Sequence, residues 1–367
     1  MNIQAPNPAF RQTQKIQLVD CDVHPRLRSP DQLKPYMSER WWNHFQTYGA
    51  RKRNGVMKGH PYPKSGPSDG SRRDAWPPAG GPPGSDLDFM RQQHLDLYGV
   101  NYGIINPLWV GAGDQNLDLG SALASAQNDW QMEHWALPEP RLRPSIVVNY
   151  DDAASARAEI QKRAREYDYA QVMLLSRSAE ALGRKRYWPI YEAAVEHGLP
   201  VGIHVFGFSG LAITPTGWPS FYMEEMSAHG TSVSAIVMSM VMEGLFEHLP
   251  DLRIVLIESG FAWLPSLAWR LDKCWARMRD ETPHVRRPPS EYIREHIYVT
   301  TQPIEEPNQP GHLEDVFRWI GWDRVLFSSD YPHWDFDDPK YVIPRGVSDE
   351  NRRKILGGNA AALYRLG

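Results

Sequence analysis

Short apolar runs alternate with segments of helical periodicity along most of the chain. The runs are rich in Val, Ile and Leu and show little alternation with polar residues, which is typical of parallel strands covered on both faces. Eight runs are present: Ile16–His24, Val100–Asn106, Arg143–Tyr150, Gln171–Leu175, Val201–Phe206, Arg253–Glu258, His296–Thr301 and Arg324–Asp330. The pattern therefore predicts eight parallel strands.

Amphipathic segments of helical length separate these runs. The predicted helices are Asp86–Leu97, Leu117–Trp135, Asp152–Tyr167, Tyr187–His197, Ser232–Leu249, Ala262–Arg279, Leu313–Gly321 and Asp349–Leu366. Repeated strand–helix units in 367 residues predict a closed (β/α)8 TIM barrel of the α/β class, as one domain over residues 1–367. A doubly wound open sheet is the alternative, but no Gly-x-Gly-x-x-Gly motif follows the first strand.

Residues 51–85 depart from this alternation. The segment is dense in Gly and Pro and lies between the first strand and its helix. Insertions after a barrel strand lie on the face that carries active sites. We therefore expect this segment to form a lid over the active site, a contact between subunits or an ordinary surface loop.

Composition narrows the function classes. With 40 Lys and Arg against 44 Asp and Glu, the net charge of -4 argues against non-specific binding to nucleic acid or anionic membranes. We find no apolar stretch long enough for a membrane span and no secretory segment at the polar N-terminus. The two cysteines do not make a disulfide scaffold. We expect a cytoplasmic homo-oligomer that acts on a small molecule.

Metal-binding side chains recur where the predicted strands end. Asp22 and His24 close the first strand, His204 lies in the fifth, Glu258 ends the sixth and Asp330 ends the eighth. Residues two apart on a strand share a side, and the carboxyl ends of barrel strands meet at one mouth. The pattern predicts a divalent metal site there. The alternative is a set of buried, hydrogen-bonded polar groups.

Four motifs in this order make the chain recognisable: VDCDVHP, PVGIHVFG, FEHLPDLRIVLIESGFAWLP and VLFSSDYPHWD. Together they resemble the amidohydrolase superfamily, and within it the branch of aminocarboxymuconate semialdehyde decarboxylase-like enzymes. The resemblance implies a metal-dependent hydrolase or a non-oxidative decarboxylase. Carried over position by position, it implies the ligands Asp22, His24, His204 and Asp330.

The chain departs from the pattern of this branch at two places. Asp22 stands where a histidine is usual, and Glu258 replaces the usual histidine after the sixth strand. The fourth strand continues into Ser176 and Arg177 without a lysine, so the carbamylated lysine of dinuclear relatives is absent. Arg177 is either a clamp for a substrate carboxylate or an exposed loop residue.

The number of carboxylates among the candidate ligands affects which metal ion the site prefers. Hard oxygen ligands favour Mn or Fe, although Zn tolerates mixed nitrogen and oxygen ligands. Carboxylates also bridge metal pairs, and His229 and His333 would then supply nitrogen to a second ion. We therefore expect one or two ions of Zn, Mn or Fe. Glu258 is either a metal ligand or a general base. His229 is either a metal ligand or a residue that contacts the substrate. We expect His333 to contact the ligands instead of the metal ion itself.

The leading hypothesis from the sequence is hydrolysis of an amide, ester or C–C bond by metal-activated water. Asp330 would be the general base, assisted by Glu258 or His229. Three alternatives stay open: non-oxidative decarboxylation of an aromatic or enol carboxylate, O2 activation by a dinuclear Fe or Mn site, and a pseudo-enzyme partner subunit. Three tryptophans are candidates for the walls of a substrate pocket: Trp109, Trp218 and Trp334. We expect Cys21 to be a small buried side chain.

Overall fold

Eight parallel strands form one sheet in a computed structural model that describes residues 17–49, 68–108, 111, 113–114, 116–205, 217 and 219–367. The strands are β1 Val19–Val23, β2 Tyr102–Ile105, β3 Leu142–Val147, β4 Gln171–Leu175, β5 Val201–His204, β6 Ile254–Ile257, β7 Ile297–Thr300 and β8 Val325–Leu326. Each strand pairs in parallel with the next one along the chain. The predicted eight strands are confirmed.

Backbone contacts between the last and first strands bring the two edges of the sheet together. The Cys21 amide donates to the Phe327 carbonyl at 3.0 Å, and the His24 amide donates to the Tyr331 carbonyl at 2.8 Å. Val23 and Tyr331 also form a parallel bridge. These contacts nearly close the sheet, which confirms the (β/α)8 barrel.

Helices follow the strands and cover the outside of the sheet. They are α1 Glu39–Tyr48, α2 Leu87–Met90, α3 Asp96–Tyr98, α4 Leu117–Gln131, α5 Ala153–Arg163, α6 Trp188–Glu196, α7 Tyr222–Ser227, α8 His229–Met242, α9 Leu245–His248, α10 Trp263–Met278, α11 Pro289–His296, α12 Pro310–Ile320, α13 Asp349–Arg353 and α14 Asn359–Leu363. Three π-helical segments join or extend these helices: Arg91–Leu95, Met132–Ala136 and Lys354–Gly358. Among these helices, none has both the length and the apolar character to cross a membrane.

Two of the predicted boundaries that differ from the structure have an identifiable local cause. The predicted helix Ser232–Leu249 is divided into α8 and α9, because Gly244 adopts a left-handed φ of 80°. The predicted eighth strand stops at Leu326. Beyond it, the Ser328 amide donates to Thr301 Oγ1 at 3.1 Å and the Ser329 amide donates to the Asp20 carboxylate at 2.9 Å. Side chains thus replace part of the strand ladder, and the regular strand ends before Asp330.

The barrel interior below the mouth contains an apolar cluster. Side chains from strands around the barrel and from the last helix form one buried cluster: Val19, Cys21, Ile104, Ala170, Val255, Ile257, Tyr298, Leu326, Ala360 and Tyr364. Cys21 is fully buried there, as predicted. A larger cluster fills the space between the sheet and the helices. The polar residues described below therefore lie above a packed interior.

The described part of the predicted insertion borders the loop that follows β8. The Trp334 amide donates to the Gly70 carbonyl at 2.9 Å, and the Arg72 amide donates to the Pro332 carbonyl at 3.0 Å. The Gly84 carbonyl accepts from the Arg26 amide at 2.8 Å. Residues 50–67 lie outside the described residues, so a lid or oligomer contact formed by the whole insertion stays a prediction.

Asp20 joins β1 to the chain that follows β8. Its fully buried carboxylate accepts from His94 Nε2 at 2.8 Å, from the Ser329 amide and from Ser329 Oγ at 2.5 Å. The His94 ring stacks on Tyr331 at 4.8 Å between centroids. Because each donor is buried, the Asp20 carboxylate contributes to the closure of the barrel.

We expect Asp20→Ala to lower the free energy of unfolding by about 3 kcal/mol, since the substitution leaves several buried donors without an acceptor. Denaturant unfolding measures this. The matched control is Asp251→Ala, at an exposed turn before β6. Equal stability of the two variants would contradict a structural role for Asp20.

Candidate metal centre

The five predicted donors meet at the carboxyl ends of four strands. Asp22 lies in β1, with His24 directly after it. His204 ends β5, Glu258 follows β6, and Asp330 follows β8. All are at least 96% buried. Three overlapping groups have potential ligand atoms within 4.8 Å of one another: Asp22, His24 and His204; Asp22, Glu258 and Asp330; and His24, Asp330 and His333.

Imidazole nitrogens alternate with carboxylate oxygens in this cluster. His24 Nε2 lies 3.2 Å from Asp22 Oδ1 and 2.9 Å from Asp330 Oδ1. His204 Nε2 lies 3.4 Å from Asp22 Oδ2 and 3.2 Å from Glu258 Oε2. Asp22 thus contacts both histidines, and the donors surround a common centre.

Backbone carbonyls determine which nitrogen each histidine presents to the centre. His24 Nδ1 lies 2.8 Å from the Asn106 carbonyl oxygen, and His204 Nδ1 lies 2.7 Å from the Val205 carbonyl oxygen. A carbonyl oxygen only accepts, so Nδ1 carries the proton in both rings. The two Nε2 atoms therefore face the carboxylates, and this orientation is typical of histidine metal ligands.

A register shift in β1 separates two aspartates that the sequence places two residues apart. The pairing of β1 with β2 is irregular between Asp20 and Val23. Asp20 consequently contacts His94 behind the strand, whereas Asp22 accepts from Asn106 Nδ2 at 2.8 Å in the mouth. The irregularity assigns one carboxylate to closure of the barrel and the other to the site.

Two orienting residues escaped the sequence analysis. Asn106 follows β2 and donates to Asp22, and Gln302 follows β7 and donates from Nε2 to Asp330 Oδ2 at 3.3 Å. Both are polar residues directly after barrel strands. That position, at the mouth of the barrel, is the sequence signal that marks them.

Both carboxylates that follow strands at the centre have left-handed backbones. Glu258 has a φ of 56° and Asp330 a φ of 62°. Outside glycine this conformation costs about 1–2 kcal/mol per residue. Backbone strain of this kind clusters at functional sites, because the surrounding structure is needed to hold it.

Buried charges shift the pKa values of the cluster strongly. Burial alone would lower the pKa of His24, but Asp22 and Asp330 raise it well above its ordinary value. Burial would likewise raise the pKa of Asp22, but His24 and His204 hold it below its usual range. The pKa of Glu258 is raised by burial and by the neighbouring Asp330, Asp335 and Asp22. The cluster thus has an excess of negative groups.

This excess fits a divalent cation. Among the described residues, Asp22 Oδ2 and Glu258 Oε2 are buried oxygen atoms without a hydrogen-bond partner. Buried carboxylates are stable when they are paired or coordinate a metal. Carboxylate oxygens with imidazole nitrogens are also a ligand set for Mn, Fe or Zn. The residues at the mouth of the barrel therefore suit one such ion.

His229 lies beside the donor cluster instead of within it. It is the first residue of α8 and is buried, with Nδ1 3.8 Å from Glu258 Oε1. Burial and the charge of Arg177 lower the pKa of His229 to about 3, which keeps its imidazole neutral. His229 also borders an open groove of about 710 Å³ that is lined by Trp263, Arg270 and Glu305.

His333 contacts the donor cluster through Asp330. Its Nδ1 is 2.5 Å from Asp330 Oδ1, and its ring is 4.6 Å from the His24 ring. Its side chain retains 19% exposure, so it connects the buried Asp330 with solvent.

Of the three tryptophans predicted to line a pocket, the structure describes Trp334. Trp334 is 43% exposed and donates to the Tyr222 hydroxyl at 3.1 Å. Trp109 and Trp218 lie outside the described residues.

The chain is similar to known proteins over most of its length. A sequence profile of the amidohydrolase family matches residues 19–366. The chain is 26% identical over 304 residues to gamma-resorcylate decarboxylase of Polaromonas sp. strain JS666, covering 77% of this chain and 88% of the relative.

Solved structures show the same fold. A dihydroxybenzoic acid decarboxylase of Polaromonas sp. JS666, with bound manganese and the inhibitor 2-nitroresorcinol, superposes with a TM-score of 0.66 at 20% identity, covering 96% of this chain and 98% of that one. A 5-carboxyvanillate decarboxylase of Novosphingobium aromaticivorans, with manganese and 4-hydroxy-3-methoxy-5-nitrobenzoic acid, gives 0.68 at 18% identity, with coverages of 96% and 97%.

We expect Mn²⁺ to raise the melting temperature of the protein, because the ion would neutralise the buried carboxylates. Binding to the folded state alone stabilises by about 4 kcal/mol when the free ion exceeds its Kd about 1,000-fold. Thermal unfolding with Mn²⁺ or with a chelator measures the effect. His204→Ala should lose most of the shift, and His312→Ala, at an exposed position of α12, should keep it. An unchanged shift in His204→Ala would exclude the site.

Proposed function

This chain belongs to the amidohydrolase family and is an enzyme, a hydrolase or a carboxy-lyase, and we propose that it is a metal-dependent decarboxylase of a hydroxylated aromatic carboxylate. The observation that carries the proposal is the buried cluster of Asp22, His24, His204, Glu258 and Asp330 at the barrel mouth. It is supported by decarboxylase relatives that match most of the chain.

In this proposal Asp22, His24, His204 and Asp330 hold the metal ion, and Glu258 completes the donor set. The ion would supply Lewis-acid polarisation of the substrate carboxylate and its neighbouring phenolic oxygen. Asn106 and Gln302 hold the Asp22 and Asp330 carboxylates in place. We assign manganese as the first choice, given the oxygen-rich donors and the manganese in the related structures.

Decarboxylation consumes one proton and releases CO2. The ring carbon that bears the carboxylate takes up the proton, the bond to the carboxylate then breaks, and its electron pair returns to the ring. Asp330 is the proposed proton carrier, since it borders the centre and contacts His333 at 2.5 Å. His333, which is partly exposed, would return a proton from solvent. His229 would contact the substrate on the side of Glu258.

Hydrolysis, the leading hypothesis from the sequence, uses the same donors with water as the attacking group. The relatives move the preference toward decarboxylation, because the curated protein and the two solved structures described above are decarboxylases. The two reactions differ in their products, so product analysis separates them.

We expect Asp330→Asn to lower the decarboxylation rate of the metal-loaded enzyme by roughly 100-fold or more, because the amide cannot deliver a proton. CO2 release from 2,6-dihydroxybenzoate and from 5-carboxyvanillate measures the rate. Asp251→Asn, at an exposed turn on the opposite end of the barrel, should retain the wild-type rate. Unchanged turnover in Asp330→Asn would remove the proposed proton carrier. Cleavage of an ester or amide without CO2 release would favour the hydrolase.

One observation favours a second candidate, O2 activation by two Fe or Mn ions. Six potential ligands converge on the mouth, more protein groups than one ion requires, and Asp330 and His24 are each shared between two groups. Shared carboxylates are suited to bridging two ions. His333 would then bind the second ion.

Metal analysis separates these candidates. The decarboxylase is expected to contain about one Mn or Zn ion per chain and to work without O2. About two Fe or Mn ions per chain, with activity that requires O2 and a reductant, would support the oxygenase instead. Elemental analysis of protein purified without added metal, together with an anaerobic assay, measures both quantities. Protein that binds no metal after reconstitution would contradict both.

A further inference from the structure

A buried ion pair borders the candidate metal centre without belonging to it. Arg177 lies two residues after the end of β4, and its guanidinium donates to Glu225 Oε1 at 2.8 Å. Arg177 is 9% exposed and Glu225 is 8% exposed. The sequence analysis left Arg177 open between a carboxylate clamp and an exposed loop residue, and its burial removes the second choice.

A chain of contacts leads from Ser176, which precedes Arg177 in the sequence, to the site. Ser176 Oγ lies 3.2 Å from Ser232 Oγ in the first turn of α8, and the Ser232 hydroxyl donates to the His229 carbonyl at 3.3 Å. His229 in turn lies 3.8 Å from Glu258. The charge of Arg177 also lowers the pKa of His229, which agrees with this proximity. The guanidinium is therefore a positive group at the edge of a negative centre.

The carboxylate that Arg177 holds comes from a small peripheral element. Glu225 lies in α7, a helix of six residues outside the strand–helix repeat. Phe221 and Met223 beside it are 68% and 77% exposed. Because few groups cover this helix, moving Glu225 away from Arg177 disrupts little of the core.

We propose that Arg177 binds a second anionic group of the substrate, distal to the carboxylate that reacts, and that Glu225 occupies this position until the substrate displaces it. The inference rests on the proposed function, because it assumes an aromatic acid at the metal centre. A guanidinium pairs with carboxylates through directed, charge-assisted hydrogen bonds. The contact with Glu225 shows that the guanidinium can hold a carboxylate at this place. The enzyme would therefore select aromatic acids with two anionic substituents.

The two partners of the pair are expected to affect binding in opposite directions. Removing Arg177 removes the positive group and weakens binding of a distal carboxylate. Removing the charge of Glu225 removes the competitor and strengthens that binding. A purely structural ion pair predicts no such opposition, because loss of either partner would only destabilise the fold.

Two unreactive nitrophenols test the proposal by binding alone. Both carry a nitro group beside a hydroxyl, and only 4-hydroxy-3-methoxy-5-nitrobenzoate has a further carboxylate, which 2-nitroresorcinol lacks. Each compound is titrated into manganese-loaded wild-type protein, Arg177→Met, Glu225→Gln and the double variant by calorimetry. Thermal unfolding of each variant reports on the fold, and the double variant avoids leaving one buried charge alone.

We expect Arg177→Met to weaken binding of the nitrobenzoate by about tenfold or more and to leave the affinity for 2-nitroresorcinol within about twofold. Glu225→Gln should tighten binding of the nitrobenzoate, and the double variant should resemble Arg177→Met. Equal changes for both compounds, or no change for either, would overturn the inference while the proposed function stands. If the wild-type protein binds neither compound, the proposed function and the inference both fail.

Discussion

The electrostatic repulsion among buried carboxylates is the constraint on which the candidate site depends. Asp22, Glu258 and Asp330 present oxygen atoms within 4.8 Å of one another, and each residue is at least 99% buried. Ionised carboxylates at such distances repel strongly in a medium of low polarity. The cluster is stabilised when Glu258 takes up a proton, when a histidine carries positive charge or when a divalent cation binds at its centre. This requirement connects the fold to metal chemistry more directly than any single ligand does.

The rest of the barrel mouth serves to hold that cluster in place. Backbone carbonyls orient His24 and His204, and Asn106 and Gln302 hold the carboxylates of Asp22 and Asp330. On β1, the Asp20 carboxylate accepts hydrogen bonds from His94 and from the Ser329 amide, where the barrel closes. Such supporting contacts fix the geometry and basicity of metal ligands. The left-handed backbones at Glu258 and Asp330 are the energetic cost of this arrangement.

Charge is distributed unevenly around the mouth. The negative cluster lies at the ends of β1, β5, β6 and β8, whereas Arg177 supplies a positive group at the end of β4. His229, held neutral by burial and by the charge of Arg177, lies 3.8 Å from Glu258. An aromatic acid with anionic groups at both ends would match this pattern, one end at a bound cation and the other at the guanidinium. Electrostatic complementarity of this kind sets substrate selection as well as affinity.

The sequence alone determined the fold class and the candidate donors that meet at the barrel mouth. Apolar runs that repeat with helical segments predicted the barrel, since parallel strands must be covered on both faces. Donor residues at strand ends predicted Asp22, His24, His204, Glu258 and Asp330 as neighbours, since barrel strands end at one mouth. These inferences succeeded because periodicity and strand direction are local properties of the chain.

Tertiary structure alone decided the finer assignments. The register shift in β1 turned Asp20 away from Asp22, and the loop after β8 brought His333 against Asp330. The pairing of Arg177 with Glu225 joins residues 48 positions apart on different elements. No local pattern encodes such contacts, because they depend on how loops return to the barrel mouth. The roles of Asn106 and Gln302 likewise became visible only when their partners were in place.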